Sequence, residues 1–209
     1  MYLYGAQIQA KPGRGGEAGA KVAELRDVIT AAIDQPGYAW AVAAGAPVGG
    51  FMLSTRLEGM ADLIDIQMKM ATDDDYQKLS AGVADLWAAP VETQLAQVVA
   101  TAGEPGEPKP VLSVTRATIA GGHMADAMAW ANQVLEHVAG VTGLSGMLAM
   151  GAAGDFLGMT WLFGSDSGAA SDAANEALMA DADYIGLVDR GGGYIVDGSA
   201  ERVILVQLP

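Results

Sequence analysis

The chain has 209 residues, 51% of them hydrophobic, and a formal net charge of −14 at pH 7. So acidic a chain repels phosphate backbones and anionic lipid, and we expect neither nucleic acid nor a membrane surface as a partner. Because it has no cysteine, disulfides, thiolate nucleophiles and cysteine-ligated metal sites are excluded.

The first half begins with alternating apolar and polar residues from Tyr2 to Lys11, a period of two that predicts a strand. A loop follows, and apolar residues from Val22 to Ile33 then recur at helical spacing until Pro36-Gly37. The remaining predicted elements are strands 38–44 and 51–57, a helix around Leu63, Ile64 and Met68, a short helix 76–86 capped by the acidic run 73–75, and a strand 91–99.

The uncharged run from Gln35 to Thr55 is long enough to span a bilayer. Its glycines and prolines divide it into strand-length pieces, so a hairpin is the prediction. The first residues also lack the basic and then apolar pattern of a signal peptide, and we therefore expect a cytoplasmic protein.

The second half follows the same order. Its predicted elements are strand 111–119, helix 124–138, strands 144–150 and 156–163, helix 169–179 and strand 201–208. Gly191-Gly-Gly193 predicts a looser segment where the first half has its short helix.

The two halves also share sequence features, which indicates an internal duplication. Both place Gly-Ala after a strand, at Gly45 and Gly151, and both carry Asp-x-Asp-Tyr, ending at Tyr76 and Tyr184. Asp34 to Gly37 lies over Gly140 to Gly143 in this alignment. Two copies are too few for a solenoid. We therefore predict domains at 1–100 and 111–209, joined by a Pro/Gly/Glu-rich linker at 101–110.

Each half reads as β-α-β-β-α-β, the pattern of a ferredoxin-like domain with both helices on one face of an antiparallel sheet. The predicted class is α+β, two tandem ferredoxin-like domains packed sheet to sheet as an intrachain dimeric α/β barrel. The element order, with Met70 to Leu79 running into Val91 to Val99, resembles the dimeric α/β-barrel superfamily. Its NIPSNAP-like and antibiotic-biosynthesis-monooxygenase-like members are the most similar.

Motifs with strong chemical meaning are absent from the sequence. Neither glycine-rich segment has the spacing of a phosphate loop, and there is no Gly-x-Ser-x-Gly or His-Glu-x-x-His. The acidic run 73–75 is interpreted as a helix cap on a solvated surface, and no metal site is predicted.

The two histidines, with Trp130, are the candidate catalytic residues. His123 follows two glycines at a helix start, where an imidazole kept neutral could act as a base, or could simply be an exposed polar residue. His137 shares a helical stripe with Trp130, so it could look into a cavity beneath the sheet. It could equally be a cationic residue that stabilises the C-terminal end of the helix.

Aromatic and polar residues on or beside the strands are the candidates for substrate binding. Core packing is the alternative for the aromatic residues, and ordinary hydrogen bonding for the polar ones. The candidates are Gln7, Gln9, Trp40, Arg56, Arg116, Trp161 and Tyr184.

The resemblance implies oxygenation of an apolar or aromatic substrate without metal or flavin, in a pocket between sheet and helices. The family's site also uses an Asn, and neither first strand has one. No cofactor is expected, although some relatives bind haem through a histidine, and a haem protein is one alternative. A non-catalytic ligand-binding or assembly protein is the other. The sequence does not show which half holds a pocket or whether the chain forms a homo-oligomer.

Overall fold

The computed structural model describes residues 1–33, 35–103 and 106–209. Asp34 of the repeated segment, and Glu104 and Pro105 of the predicted linker, lie outside the described residues. The chain divides into two compact units: unit 1 is Met1–Ala96 with Val206–Pro209, and unit 2 is Gln97–Leu205. The boundaries 1–100 and 111–209 stay predictions.

Unit 1 contains the elements expected of the first half. They are β1 (Tyr2–Gln9), α1 (Gly15–Ile33), β2 (Gly37–Ala44), β3 (Gly50–Leu57), α2 (Met60–Thr72), α3 (Asp74–Val83), a 3-10 turn (Ala84–Leu86) and the start of β4 (Glu92–Ala102). Strand β4 runs two residues into the predicted linker. The side chain of Asp73 caps α3 by accepting the Tyr76 N–H at 2.8 Å, which confirms the predicted cap.

Strand β3 lies between β1 and β2, antiparallel to both, so the uncharged run forms the predicted hairpin. Alternation divides the sheet into two faces. Ile8, Ala39 and Phe51 pack with Ala18 and Val22 of α1 on one of them. The other face carries Gln7, Trp40 and Arg56, since Gln7 and Trp40 both pair with Met52 and Arg56 lies four residues further along β3.

Unit 2 repeats this plan with β5 (Val111–Thr118), α4 (Met124–Thr142), β6 (Gly146–Ala153), β7 (Gly158–Ser165), α5 (Gly168–Ala180), α6 (Ala182–Gly191) and most of β8 (Glu201–Gln207). The prediction of a looser segment in place of the short helix is wrong. A ten-residue helix, α6, occupies this position and ends at Gly191. Asp181 accepts the Tyr184 N–H at 2.7 Å, the same cap that Asp73 provides in unit 1. The cap therefore starts a helix that the glycines end.

Strand β7 lies between β5 and β6, antiparallel to both. The face towards α4 carries Leu148, Met159 and Trp161, which pack with Trp130, Leu135 and other α4 residues in one buried cluster. The expected α+β class with tandem ferredoxin-like units is thus confirmed, each unit having one additional helix. Among the described residues, no helix is both long and apolar enough to cross a membrane.

Candidate active site

A surface groove between α4 and α6 of unit 2 holds the most chemically capable side chains that we find. Its volume is about 660 Å³. One stripe of each helix lines it: Gln133, Glu136, His137, Gly140 and Val141 from α4, and Ala182, Asp183, Gly186, Leu187 and Arg190 from α6. The two glycines, one from each helix, leave room in the groove because they carry no side chains.

His137 is held in this groove by the residue that begins α6. Its Nε2 lies 3.0 Å from Oδ1 of Asp181, and the two side chains are 24% and 27% exposed. The Tyr184 N–H, followed by the His137 contact, lowers the pKa of Asp181 below its usual 3.8. Asp181 is therefore ionised at neutral pH and can only accept, which makes Nε2 of His137 the donor. In the neutral imidazole, the lone pair is then on Nδ1 and can accept a proton.

The charges around His137 are mixed. Glu136 and Asp183 bring negative charge and Arg190 brings positive charge. Arg190 has no carboxylate within 4.0 Å among the described residues, so its guanidinium is available to an anion in the groove. The site thus combines a base with a cation that can stabilise the negative charge formed when that base removes a proton.

Trp130 lies under the groove in the core. It is 9% exposed, and its Nε1–H donates to the carbonyl of Leu187 at 2.7 Å. Trp161 contacts it edge to face at 5.4 Å between centroids and donates its own N–H to Ala131 O at 3.0 Å. The two indoles therefore fill the space between sheet and α4 where the sequence predicts a pocket, and their donors are satisfied.

The other candidate histidine is at the opposite end of α4. His123 is the exposed N-cap residue, its ring centroid 6.3 Å from that of Tyr194, and its side chain makes no capping hydrogen bond. A rise of about 1.5 Å per residue separates the two histidines by roughly 20 Å. The structure does not bring His123 and His137 into one site.

The predicted binding residues of unit 1 lie on the sheet. Gln9 donates to Val48 O at 2.8 Å and so stabilises the hairpin turn. Trp40 is only 1% exposed, and its Nε1–H donates to Ser54 Oγ at 2.9 Å. Gln7, Trp40 and Arg56 share the face turned away from α1, and both Gln7 and Arg56 have interaction partners.

In unit 2 the predicted binding residues divide between the two faces of the sheet. Arg116 pairs with Thr160 in the register, so it points away from α4, whereas Trp161 points towards it. Burial lowers the pKa of Arg116, and Glu201, 3.9 Å away, acts in the opposite direction. Tyr184 packs against the core cluster beside the Asp181 cap.

Asp181, Glu136 and Arg190 were not among the predicted site residues. The repeat carries the signal for Asp181, since it aligns with Asp73, which the sequence marks as a cap. Glu136 and Arg190 carry no sequence signal of their own, because their meeting depends on α6. Among the described residues, no three histidine, aspartate or glutamate side chains could together hold a metal ion.

No protein-family model matches the sequence, and neither does any curated protein. Solved structures do match over the whole chain. A Fusobacterium nucleatum protein described as a "putative monooxygenase" has 7% identity, covers 100% of this chain and 92% of its own, and has a TM-score of 0.73. An "anthrone oxidase-like protein" has 14% identity over 100% of this chain and 91% of its own, with a TM-score of 0.69.

A third similar structure is a Lactobacillus acidophilus protein with a "putative monooxygenase" description, at 10% identity, 99% and 93% coverage and a TM-score of 0.63. Identities this low carry information on fold and not on activity. The chain therefore shares the fold of these structures, with two ferredoxin-like units in tandem, as the element order predicts.

Proposed function

We propose that the protein is a cofactor-free monooxygenase acting on an electron-rich aromatic substrate in the α4–α6 groove, with His137 as its base. One observation carries the proposal: His137, hydrogen-bonded to an ionised Asp181, lines a groove large enough for a flat multi-ring compound. Two of the similar structures carry the description "putative monooxygenase", and a third is described as anthrone oxidase-like.

The proposed chemistry starts with a carbon acid such as an anthrone, whose methylene lies between two aromatic rings. His137 removes a proton at Nδ1, and Asp181 stabilises the imidazolium through Nε2. The carbanion, stabilised by delocalisation and by Arg190, gives electrons to O₂. One oxygen atom becomes the carbonyl oxygen of the product and the other leaves as water, so the substrate supplies all the electrons and no external reductant is needed.

Oxygen uptake tests the proposal. Anthrone and quinol compounds are added to the purified chain in an oxygen-electrode cell, and product is followed by absorbance. His137→Gln is expected to lower kcat by about 10²- to 10⁴-fold, the usual contribution of a general base. His123→Gln is the matched control and should keep full activity. No oxygen consumption across the panel, or full activity in His137→Gln, argues against the proposal.

A second function, non-catalytic binding of a small apolar molecule, is favoured by a different observation. The indoles of Trp130 and Trp161 fill the space between the unit 2 sheet and α4, and both donate to backbone carbonyls. In the described part of unit 2, substrate would then use the open groove, where exclusion of water is incomplete. A change in Trp130 fluorescence on adding an aromatic compound, without oxygen uptake, would favour this function.

Haem binding stays an alternative that the resemblance implies. Nε2 of His137 contacts Asp181 and His123 is an exposed cap residue beside Tyr194, so Nδ1 of His137 would be the ligand in the groove. An iron-ligating histidine commonly donates its other ring N–H to a carboxylate, so the Asp181 contact is compatible with that role. The proposed chemistry does not use haem, and we derive no step through it.

A further inference from the structure

Helix α2 of unit 1 exposes an apolar stripe. Met60, Ile64 and Met68 are spaced by four residues, so they lie along one side of the helix, and they are 44%, 55% and 67% exposed. The buried residues of α2, Ile66 and Met70, are on a different side. Single exposed hydrophobic residues need no explanation, but three in a line form a continuous surface.

The matching element order of the two units allows an internal comparison. Helices α2 and α5 are both 13 residues long, and each is followed by one aspartate cap and a helix of 10 residues. Superposing their first residues places Met60, Ile64 and Met68 on Gly168, Asp172 and Glu176. The same helix in the same fold is thus compatible with polar or absent side chains at these positions. The fold of the unit does not require the stripe, and a partner is its remaining explanation.

We propose that this stripe, Met60, Ile64 and Met68, is the surface through which two copies of the chain associate, with their α2 helices antiparallel. The charged residues beside the stripe indicate that the partner is a second copy of the chain. Asp65 and Lys69 are exposed on one flank of the stripe, and neither has an ion-pair partner in the described part of the chain.

An antiparallel pair of helices related by a two-fold axis brings the same flank of each helix together. Asp65 of each copy then lies beside Lys69 of the other, and Ile64 packs beside Met68 of the other copy. The charge pattern is therefore complementary to itself, which matters for a chain whose net charge of −14 otherwise opposes association of two copies. A parallel arrangement would set the charged flank of one helix against the uncharged flank of the other.

Sedimentation equilibrium of the full chain, from low micromolar to near millimolar concentration, tests the proposal. The expected result is a reversible dimer of the 21.4 kDa chain, with micromolar affinity because one helix pair buries little area. Replacing Ile64→Asp and Met68→Glu, the residues that α5 carries at the equivalent positions, should leave only monomer. Met179→Glu, which removes an exposed methionine of α5, is the matched control and should still dimerise.

Charge reversal distinguishes this pairing from unspecific adhesion. Lys69→Asp alone should weaken the dimer at least tenfold, and Asp65→Lys with Lys69→Asp should restore affinity to within about threefold of the unchanged chain. Circular dichroism confirms that each variant is folded. A chain that stays monomeric at every concentration, a dimer that survives Ile64→Asp with Met68→Glu, or a double reversal as weak as the single one overturns the proposal.

Discussion

Oδ1 of Asp181 lies 3.0 Å from Nε2 of His137 and 2.7 Å from the Tyr184 backbone nitrogen. One carboxylate oxygen thus begins helix α6 and holds a side chain of α4. The two contacts therefore link the start of α6 to the candidate site of unit 2. Four predictions about this region can be tested.

The first prediction concerns the charge of Asp181. Asparagine is an equally good N-cap, so Asp181→Asn keeps the cap and removes the charge that His137 contacts. We expect a lower urea midpoint at pH 7. Because the folded pKa of Asp181 is depressed, its stabilising contribution is present above its usual 3.8 and is lost as pH falls through the lower folded value.

The difference in midpoint between Asp181→Asn and the unchanged chain should therefore shrink between pH 5 and pH 3. Asp73→Asn is the matched control, since Asp73 caps α3 with the same geometry and has no histidine beside it. A difference that stays constant over this pH range would contradict the assignment.

The second prediction concerns Gly191 at the end of α6. A Cβ atom there would lie well inside van der Waals contact of the Trp130 ring, which is 9% exposed and hydrogen-bonded to Leu187 O. Gly191→Ala should cost about 1–3 kcal/mol in the free energy of unfolding, as overpacking does. Gly82→Ala in α3 is the control, because nothing lies within 4 Å and alanine should stabilise by about 0.5–1 kcal/mol. If Gly191→Ala and Gly82→Ala changed the free energy of unfolding in urea equally, the close packing of Gly191 against Trp130 would be refuted.

The third prediction concerns the groove. Gly140 lines it and has open space around an added Cβ atom, so Gly140→Leu is expected to place apolar volume in the groove. We expect tenfold or greater weakening of aromatic-compound binding, measured by tryptophan fluorescence, at an unfolding free energy within about 1 kcal/mol of the unchanged chain. Gly82→Leu, equally unhindered but in α3, should bind normally. Unchanged binding in Gly140→Leu would mean that the compound binds outside the groove.

The fourth prediction concerns the indole of Trp130. Phenylalanine keeps most of the apolar surface but leaves the Leu187 carbonyl without its 2.7 Å donor. Trp130→Phe should lose about 1–3 kcal/mol of stability, from the lost hydrogen bond and the smaller ring, measured by thermal or urea unfolding. If Trp130 serves only to support the groove, kcat should change far less than in His137→Gln. A loss of kcat as large as that of His137→Gln would instead assign Trp130 a direct part in the reaction.

The sequence predicts the elements well, because glycines, prolines and apolar periodicity are local signals. The hairpin of β2 and β3 and the Asp73 cap were both predictable in this way. Helix α6 was missed because three successive glycines after Arg190 suggest an irregular segment, whereas Asp181 starts a helix that ends at the first of them. Comparing Asp181 with Asp73 in the repeat would have corrected the error.

The site was harder to predict than the fold. His137 lies near the end of a helix, as the sequence predicts, but its partner Asp181 is 44 residues away, and their contact depends on how α4 and α6 pack. The pairing of Trp130 with Trp161 and with the Leu187 carbonyl depends on the same packing. Tertiary relationships of this kind leave no periodic trace in a single sequence.

Helix α6 is fastened to α4 near both ends, by Asp181 on His137 at its start and by Gly191 against Trp130 at its finish. Two attachments about three turns apart oppose any opening or closing of the space between the two helices. We therefore expect the groove between the two helices to keep a constant width. It should then select ligands by their thickness and should not change shape to fit thicker ones.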